Sequence, residues 1–298
     1  MPDRHASGIG HDHISFIVVG AGAAVSALRF SGRTVLITGA SSGLGAALSS
    51  EFAAQGAAVV LAARRLDRLE AVAARIRDRG GRALVVVCDV TREEDLLRAM
   101  AAIHAAGWVV DTVVANAGFG VAGRFSALRT ADYQRQFDTN VFGVVRTVRA
   151  ALADLQASRG SIVIVGSIAG HIPMAGISAY GMSKFALRAL AGALRGELRS
   201  AEINVTLISP GFLASEFRQI DNLGVRHPHA PESIPAWLLV SSEQAARTIV
   251  RAVYRRRGEC VVTGHGRVLV WLYRHMPWLV EAVLRSWRPT RKLSLIHI

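Results

Sequence analysis

The sequence is poor in lysine, cysteine and acidic residues, and each shortage narrows what the protein can be. Two cysteines, Cys88 and Cys260, in a chain of 298 residues exclude a disulfide framework and favour a reducing compartment. Acidic residues number 22 against 35 lysines and arginines, a net charge of +13, and Lys184 and Lys292 are the only lysines. Since no basic stretch is interleaved with aromatic residues, we expect no nucleic-acid partner. No pattern indicates a metal site.

A hydrophobic run long enough to cross a bilayer is also missing. Residues 14–28 are apolar and almost uncharged, but these fifteen residues fall short of the roughly 20 that a spanning helix needs. We predict an N-terminal extension over residues 1–32 that is peripheral or poorly ordered, with a short membrane anchor as the alternative. We expect a cytoplasmic protein, with peripheral attachment to the membrane as the open alternative.

The other end of the chain is basic and aromatic. Over residues 266–292, tryptophans and aliphatic residues alternate with arginines, and Pro277 divides the segment into two short helical pieces. Such an amphipathic C-terminal extension either lies on a membrane surface or covers the active-site mouth or a subunit interface. The last six residues, 293–298, match the translation of a common sequencing-adaptor end, and we interpret them as an artefact.

Between the extensions, residues 33–265 alternate between short β-branched runs and helical patterns. One long helix with an irregular start is predicted over residues 131–156, and a helix from about residue 179 to 199. The alternation predicts parallel strands joined by right-handed crossovers, with helices on both faces. The fold class is therefore α/β, a doubly wound Rossmann-type sheet of about seven strands, with its ligand crevice outside the C-terminal ends of the strands. The strands are predicted at residues 34–38, 58–62, 84–88, 109–115, 161–165, 204–208 and 259–263.

Residues 211–237 interrupt this rhythm. Prolines, histidines and scattered aromatic residues cluster here, and an insert of this length in a compact domain is usually functional or mobile. We interpret the segment as a substrate lid, with a short helix near residues 214–223.

A glycine-rich turn follows the first predicted strand. Glycines there allow the backbone to turn tightly and to approach a pyrophosphate, whose charge meets the N-terminus of the next helix. The position of the turn, with a second strand after it, predicts a dinucleotide site. The residues of the turn that we assign to it are Thr38, Gly39, Ser41, Ser42, Gly43, Leu44 and Gly45.

The end of the second strand indicates which nicotinamide cofactor binds. An acidic residue at this point binds the ribose 2′-hydroxyl, whereas an arginine accommodates a 2′-phosphate. The chain has Arg64 and Arg65 here and no acid before Asp67, so Arg64, with Arg65 as the second choice, favours NADP(H). Asp89 after the third strand is a candidate adenine contact. Asn116, Ala117 and Gly118 after the fourth strand are candidates to flank the adenosine ribose.

Tyr180 and Lys184 lie four residues apart on a predicted helix and therefore face one space. A tyrosine is a poor acid or base near neutral pH, because its reference pKa is about 10, and a nearby ammonium favours the phenolate and lowers that pKa. Ser167 ends the fifth predicted strand, where its hydroxyl is placed to hydrogen-bond a substrate carbonyl that Tyr180 protonates.

Taken together, these ordered motifs resemble the short-chain dehydrogenase/reductase family, in its TGxxxGxG and YxxxK branch, from about Arg33 to Thr263. The resemblance implies that Tyr180 is the general acid/base, that Ser167 positions the substrate oxygen, and that Lys184 binds the nicotinamide ribose and lowers the tyrosine pKa. It also implies that Asn140 holds a water of the proton relay. The cofactor contacts that it adds are Val90, Pro210, Gly211, Phe212, Ser215, Tyr180 and Lys184.

The sequence thus predicts an NADP(H)-dependent oxidoreductase that interconverts a carbonyl and a secondary alcohol. An apolar pocket, and hence a hydrophobic small-molecule substrate, is suggested by Phe119, His171, Met174, Phe212 and Phe217, with Ser167 beside them. The alternative is a catalytically silent nucleotide-binding or redox-sensing module at a membrane surface, and an epimerase or dehydratase is a third reading. We expect a homo-oligomer, either a dimer or a tetramer.

Overall fold

The computed structural model describes residues 28–219, 221–222, 225, 227 and 234–286. Seven parallel strands form one sheet in the order β3-β2-β1-β4-β5-β6-β9, so the predicted doubly wound α/β sheet is confirmed. A second, two-stranded parallel pair is made by β7 and β8. The strands are β1 Thr34–Thr38, β2 Ala58–Ala63, β3 Arg82–Val87, β4 Thr112–Ala115, β5 Ser161–Val165, β6 Asn204–Ser209, β7 Leu213–Ala214, β8 Val240–Ser241 and β9 Glu259–Val261.

Helices cover both faces of the sheet because its central strands are apolar on both sides. One core lies between the sheet and α1, α2 and α8, and the other lies under α3, α5, α6 and α7. The helices of the first face are α1 Gly43–Ala54, α2 Leu66–Arg77 and α8 Ser242–Tyr254. Those of the second are α3 Glu93–Ala105, α5 Gly143–Ala150, α6 Leu152–Ser158 and α7 Ser178–Glu197, with α4 Thr130–Phe137 preceding α5.

The single long helix expected over residues 131–156 is wrong. The chain forms α4, one π-helical stretch at Asp138–Phe142, then α5 and α6. Ala151 separates α5 from α6 with φ −96° and ψ 2°, outside the helical range. The wide π turn places Asn140 in the interior, where only 1% of the residue is exposed, and a regular helix does not bulge in this way.

Two shorter elements also differ from expectation. The fourth strand begins at Thr112 rather than residue 109, because the Val110 N–H donates to the Asp154 carboxylate at 2.9 Å and not to a neighbouring strand. The helix expected near residues 214–223 is replaced by β7 and a 3₁₀ turn at Glu216–Gln219. Pairing of Leu213 with Val240 draws that chain into a strand.

The two helical pieces expected around Pro277 are confirmed as α9 Gly264–His275 and α10 Pro277–Ser286. Pro277 opens α10, a position where its missing N–H costs nothing. Within the described residues, no helix is long and apolar enough to cross a membrane. The predictions for residues 1–27, for the middle of the lid at 228–233 and for 287–298 lie outside the described residues.

Candidate active site

Four neighbouring strands deliver the predicted site residues to one edge of the sheet. Strands β1, β4, β5 and β6 are adjacent and parallel, so their C-terminal ends meet there. The glycine turn follows β1, Asn116 follows β4, Ser167 follows β5, and Pro210 follows β6. The Pro210 carbonyl accepts a hydrogen bond from the Ile168 N–H at 2.9 Å, which joins the last two of these loops.

Hydrogen bonds fix the glycine turn to the loop after β4. The Thr38 hydroxyl oxygen accepts from the N–H groups of Asn116 at 3.1 Å and Ala117 at 3.2 Å, and the Asn116 amide donates to the Thr38 carbonyl at 2.9 Å. Gly39 has φ +68°, and a Cβ on Gly45 would lie 2.2 Å from the Gly39 carbonyl oxygen. Both positions therefore require glycine.

The same turn leaves α1 open to an anion. Ser42 is the N-cap residue of α1, yet its side chain accepts no hydrogen bond from the helix. The first N–H groups of a helix need partners from outside it, and the helix dipole favours a negative one. These free donors fit the pyrophosphate of a dinucleotide. Leu44 points the other way and packs on the core.

Arg65, more than Arg64, engages the glycine turn. The Arg65 guanidinium donates to the hydroxyls of Ser41 and Ser42, both at 2.9 Å. The Arg64 side chain is 76% exposed and lies 3.8 Å from the Asp89 carboxylate. Asp89 in turn accepts from the N–H and hydroxyl of Thr91. Two hydroxyls after β1 and one guanidinium after β2 thus form a cluster of polar groups at the C-terminal edge of the sheet.

Val90 and Gly118 have packing roles beside these polar groups. Val90 is buried, and a Cβ on Gly143 would lie 2.7 Å from the Val90 Cγ2. The first turn of α5 therefore packs directly against Val90. A Cβ on Gly118 would lie 3.0 Å from the Asn140 amide oxygen. The loop after β4 therefore runs directly over the π turn.

Tyr180, Lys184 and Ser167 lie together, as the sequence predicts. The Lys184 ammonium is 5.6 Å from the centre of the Tyr180 ring and donates to the Val165 carbonyl at 2.9 Å. Ser167 shares a side-chain hydrogen bond with Tyr180, and its oxygen also accepts from the Ala169 N–H at 3.1 Å. Lys184 is only 6% exposed, so its charge lies inside the protein.

The direction of the tyrosine pKa differs from the expectation. Burial raises the pKa of Tyr180, and the hydrogen bond with Ser167 opposes that rise without cancelling it. Burial also lowers the pKa of Lys184 to about 8, so the ammonium is itself less favoured than at the surface. Both shifts have one cause, since a low-dielectric setting disfavours every charged form. Tyr180 therefore holds its proton in the protein as it stands.

Asn140 holds the loop after β4 through the backbone of Phe119. Its amide oxygen accepts from the Phe119 N–H at 3.1 Å, and its NH₂ donates to the Phe119 carbonyl at 3.0 Å. The NH₂ also reaches the Ser183 hydroxyl at 3.3 Å, on the helix that carries Tyr180. Asn140 thus connects the π turn, the loop and α7.

The sequence reasoning missed Gln136, which supports the same loop. Its side-chain oxygen accepts from the Val121 N–H at 2.6 Å, and its NH₂ donates to the Phe119 carbonyl at 2.8 Å. The sequence does not show that Gln136 is fully buried; the signal that it does offer is a polar residue one helical turn before Asn140. Its spacing of four residues from Asn140 places both on one helix face.

The described part of the lid lies over this site. The rings of Phe217 and Tyr180 are 5.7 Å apart, and a Cβ on Gly43 would lie 3.5 Å from the Ser215 Cβ. Asn222 exchanges two hydrogen bonds with the Ala122 backbone, at 3.0 and 2.8 Å. The predicted lid therefore contacts the glycine turn, α7 and the loop after β4.

A residue outside the predicted lid supports its first segment. The ring of His265 stacks on Phe212 with centroids 5.5 Å apart. A Cβ on Gly211 would lie 2.3 Å from the Thr263 hydroxyl and 2.6 Å from the His265 Nε2, which explains glycine there. Nothing in the periodicity of the sequence pointed to His265, because the contact joins the start of α9 to the chain after β6.

Two of the predicted pocket residues also contact other parts of the chain. The His171 Nε2 lies 2.8 Å from the Ser209 hydroxyl and 3.6 Å from the Glu259 carboxylate, and the residue is 3% exposed. Burial lowers the pKa of His171 to about 4, so the ring is neutral. Met174 packs against a small cluster with Val270 and Val280. Both contact the strands or the C-terminal helices.

Comparison with known proteins places the chain among nicotinamide-dependent oxidoreductases. A family model described as short chain dehydrogenase matches residues 33–224. A protein named 11-beta-hydroxysteroid dehydrogenase A from Sesamum indicum is 36% identical over 263 residues, 85% of this chain and 75% of that protein. A dehydrogenase/reductase SDR family protein 7-like from Dictyostelium discoideum is 32% identical over 259 residues, 85% and 80% of the two chains.

Solved structures of the same fold have been described with both nicotinamide cofactors. A short chain dehydrogenase/reductase from Burkholderia phymatum in complex with NAD gives a TM-score of 0.74 at 26% identity, covering 85% of this chain and 96% of that one. An alcohol dehydrogenase from Thermococcus sibiricus complexed with 5-hydroxy-NADP gives 0.67 at 26% identity, covering 77% and 93%. These neighbours support a nicotinamide cofactor and do not select between its two forms.

Replacing Gln136 tests how the loop over the site is held. Gln136→Ala leaves a buried N–H of Val121 and part of the Phe119 carbonyl unpaired, so we expect it to lower the free energy of unfolding by about 2–3 kcal/mol. Gln134→Ala, two residues earlier and exposed, is the matched control and should change it by less than about 0.5 kcal/mol. Urea unfolding at a fixed protein concentration measures both. Equal losses in the two variants would contradict the role given to Gln136.

Proposed function

The chain belongs to the short-chain dehydrogenase family of NAD(P)-dependent oxidoreductases acting on CH–OH groups, and on that premise we propose a finer function. The protein is an NADP(H)-dependent enzyme that interconverts a carbonyl and a secondary alcohol on a hydrophobic substrate. Tyr180 is its general acid/base. The observation that carries this proposal is the grouping of Tyr180 with the buried Lys184 ammonium and the Ser167 hydroxyl at the C-terminal edge of the sheet.

The chain's own residues account for the proton in this reaction. The bound nicotinamide supplies or accepts the hydride. In reduction, Tyr180 gives its phenolic proton to the substrate oxygen, which Ser167 also hydrogen-bonds. The raised pKa of Tyr180 keeps that proton in place until it is needed. The Lys184 charge and the Ser167 hydroxyl then stabilise the phenolate that remains, and in oxidation this phenolate is the base.

The preference for NADP(H) rests on the donors around Arg65. A 2′-phosphate is a dianion that favours a guanidinium and hydroxyl donors together. The Ser41 and Ser42 hydroxyls, in the turn after β1, each lie 2.9 Å from the Arg65 guanidinium, which follows β2. We therefore assign the 2′-phosphate first to Arg65, reversing the order expected from the sequence, and treat Arg64 as the outer partner.

A hydrophobic substrate is supported by the aromatic residues near Tyr180. Phe217 contacts the Tyr180 ring from the lid, and the loop that carries Phe119 lies beside Asn140. Relatives from Sesamum indicum and Arabidopsis thaliana are named 11-beta-hydroxysteroid dehydrogenases, and their name indicates a large apolar alcohol. The same class of substrate is our proposal for this chain.

Peripheral membrane contact and a homo-oligomer of two or four copies stay predictions. On α9 and α10, Trp271, Trp278 and Val283 are 55%, 68% and 60% exposed. Arg267, Arg274 and Arg285 stand among them. Exposed tryptophan beside arginine is the composition of a surface that lies on lipid headgroups. This surface supports the prediction of membrane contact through the C-terminal extension.

Removing one hydroxyl tests the proposed acid. Tyr180→Phe should lower kcat for NADPH-dependent carbonyl reduction by about 10³-fold or more, because no other group replaces the proton donor. Binding of NADPH, followed by its fluorescence, should stay within about twofold of wild type. Tyr254→Phe, on an exposed tyrosine, is the control. Near-wild-type turnover by Tyr180→Phe would refute the assignment.

The same assay distinguishes the proposed oxidoreductase from the alternative functions that the sequence left open. A silent nucleotide-binding module would bind NADPH tightly and reduce no carbonyl across a broad panel. An epimerase or dehydratase would convert its substrate without net consumption of NADPH.

Cofactor preference is tested by a pair of neighbouring variants. Arg65→Gln should raise the KM for NADPH about tenfold or more and leave that for NADH within about twofold, because a charge-assisted hydrogen bond to the 2′-phosphate is lost. Arg64→Gln, at an exposed position next to it, should have the smaller effect. Initial rates of the two variants with each cofactor give four KM values, each compared with the wild-type value. A larger effect of Arg64→Gln, or an equal rise for both cofactors, would overturn the assignment to Arg65.

A further inference from the structure

A basic pocket lies on the edge of the sheet opposite the candidate active site. It is a shallow depression of about 530 Å³, largely open to solvent, and is lined by four arginines, Arg159, Arg195, Arg199 and Arg256, together with Glu202. Its floor is formed by the first residues of β6, Asn204 and Val205. We call it the arginine pocket. A volume of this size is in the range of small-molecule binding sites.

The topology keeps the arginine pocket apart from the cofactor crevice. Asn204 is the first residue of β6 and Ser209 the last, and a strand of this length spans about 17 Å. The cofactor crevice lies beyond Ser209, at the C-terminal end. Helix α7 runs between the two edges, with Tyr180 and Lys184 near its start and Arg195 in its last turn. A ligand of the arginine pocket is therefore not a part of the bound dinucleotide.

Backbone strain is concentrated in this pocket. Among the described residues, the non-glycine residues with positive φ are Arg159 at 49°, Glu202 at 55° and Arg256 at 49°. All three line the arginine pocket. Glycine is the usual residue at such positions, and a side chain held there costs free energy. Two of the four arginines are therefore held in a backbone conformation that glycine would adopt at lower cost.

Contacts within the pocket leave most of the guanidinium donors free for a ligand. Arg159 pairs with the Glu202 carboxylate at 2.8 Å, and Arg256 donates to the Glu202 carbonyl at 2.6 Å. The Arg195 Nε donates to the Ala191 carbonyl at 3.1 Å. The Arg199 side chain has no hydrogen bond or ion pair within the part of the chain that the structure describes. Each guanidinium carries five N–H donors, so these contacts use a minority of them.

Helix dipoles do not neutralise this charge. Helices α6, α7 and α8 all end at the pocket, because the helices run antiparallel to the strands. Each helix end contributes roughly half a negative charge, so three of them supply about one and a half. Four arginines against one glutamate leave a net charge of plus three. Positive charge therefore remains in excess in a concave site.

We propose that the arginine pocket binds a phosphate-bearing anion. Guanidinium groups match phosphate oxygens in pairs, and a multiply charged anion suits the excess of positive charge better than a single carboxylate does. The phosphate belongs either to a small soluble phosphorylated compound or to a lipid headgroup, and the chemistry of recognition is the same for both. The proposal does not rest on the proposed oxidoreductase function.

The test uses the full chain, with inorganic pyrophosphate as the probe. Titration calorimetry in saturating NADPH, which fills the cofactor crevice, should show one further pyrophosphate site. The double variant Arg195→Gln, Arg199→Gln should weaken its affinity about tenfold or more, because two charge-assisted contacts are lost. The charge-matched control is Arg75→Gln, Arg79→Gln on exposed positions of the α2 region, which should change it less than twofold. If the double variant does not fold, Arg199→Gln alone carries the test.

Vesicle sedimentation distinguishes the two sources of phosphate. Vesicles of phosphatidylcholine with phosphatidylglycerol are compared with vesicles of phosphatidylcholine alone. Retention on the anionic vesicles that only the pocket variant loses identifies a headgroup, whereas pyrophosphate binding without such retention identifies a soluble ligand. Binding of neither probe, or equal losses in the pocket variant and the control variant, overturns the proposal.

Discussion

The active site depends on one buried hydrogen bond, from the Lys184 ammonium to the Val165 carbonyl at 2.9 Å. Val165 ends β5, and Ser167 follows it two residues later, so this bond connects α7 to the strand that precedes the serine. Tyr180, one helical turn before Lys184, is thereby held over the edge of the sheet. Placing an ammonium inside the protein is costly, and the carbonyl partially offsets that cost. The part of the burial cost that the carbonyl does not offset lowers the pKa of Lys184 to about 8.

The π turn at Asp138–Phe142 is the second constraint, because it brings Asn140 and Gln136 to the same loop. Both amides bind the Phe119 backbone, and Asn140 also reaches Ser183 on α7. The loop after β4 is thus fixed to the helix that carries the tyrosine. Buried polar groups whose hydrogen bonds are all made favour a single arrangement, and removing one partner costs folding free energy. The arrangement of the candidate catalytic groups is therefore held by residues that need not touch substrate.

Sequence reasoning was strongest where the chemistry depends on local spacing. The alternation of strands and helices predicted the sheet, and the four-residue spacing of Tyr180 and Lys184 predicted their proximity, because both are properties of the backbone. It failed where a segment distant in the sequence determines the local structure. The π turn and the support of Phe212 by His265 both depend on contacts between remote residues. The hydrogen bonds of Arg65 to the glycine turn are also invisible in the sequence, and which arginine meets a 2′-phosphate stays a prediction. The predicted direction of the Tyr180 pKa shift was also wrong, because the sequence shows the neighbouring charge but not the burial that raises the pKa.

The central claim is that the Lys184 charge stabilises the phenolate of Tyr180, and the pH dependence of alcohol oxidation tests it most directly. In kcat/KM, the rise toward alkaline pH reports formation of the base in the free enzyme. Lys184→Met should move that rise upward by about one pH unit or more, whereas Lys184→Arg, which keeps the charge, should leave it close to wild type. A Lys184→Met profile that keeps the wild-type midpoint and is only lower in rate would contradict the account.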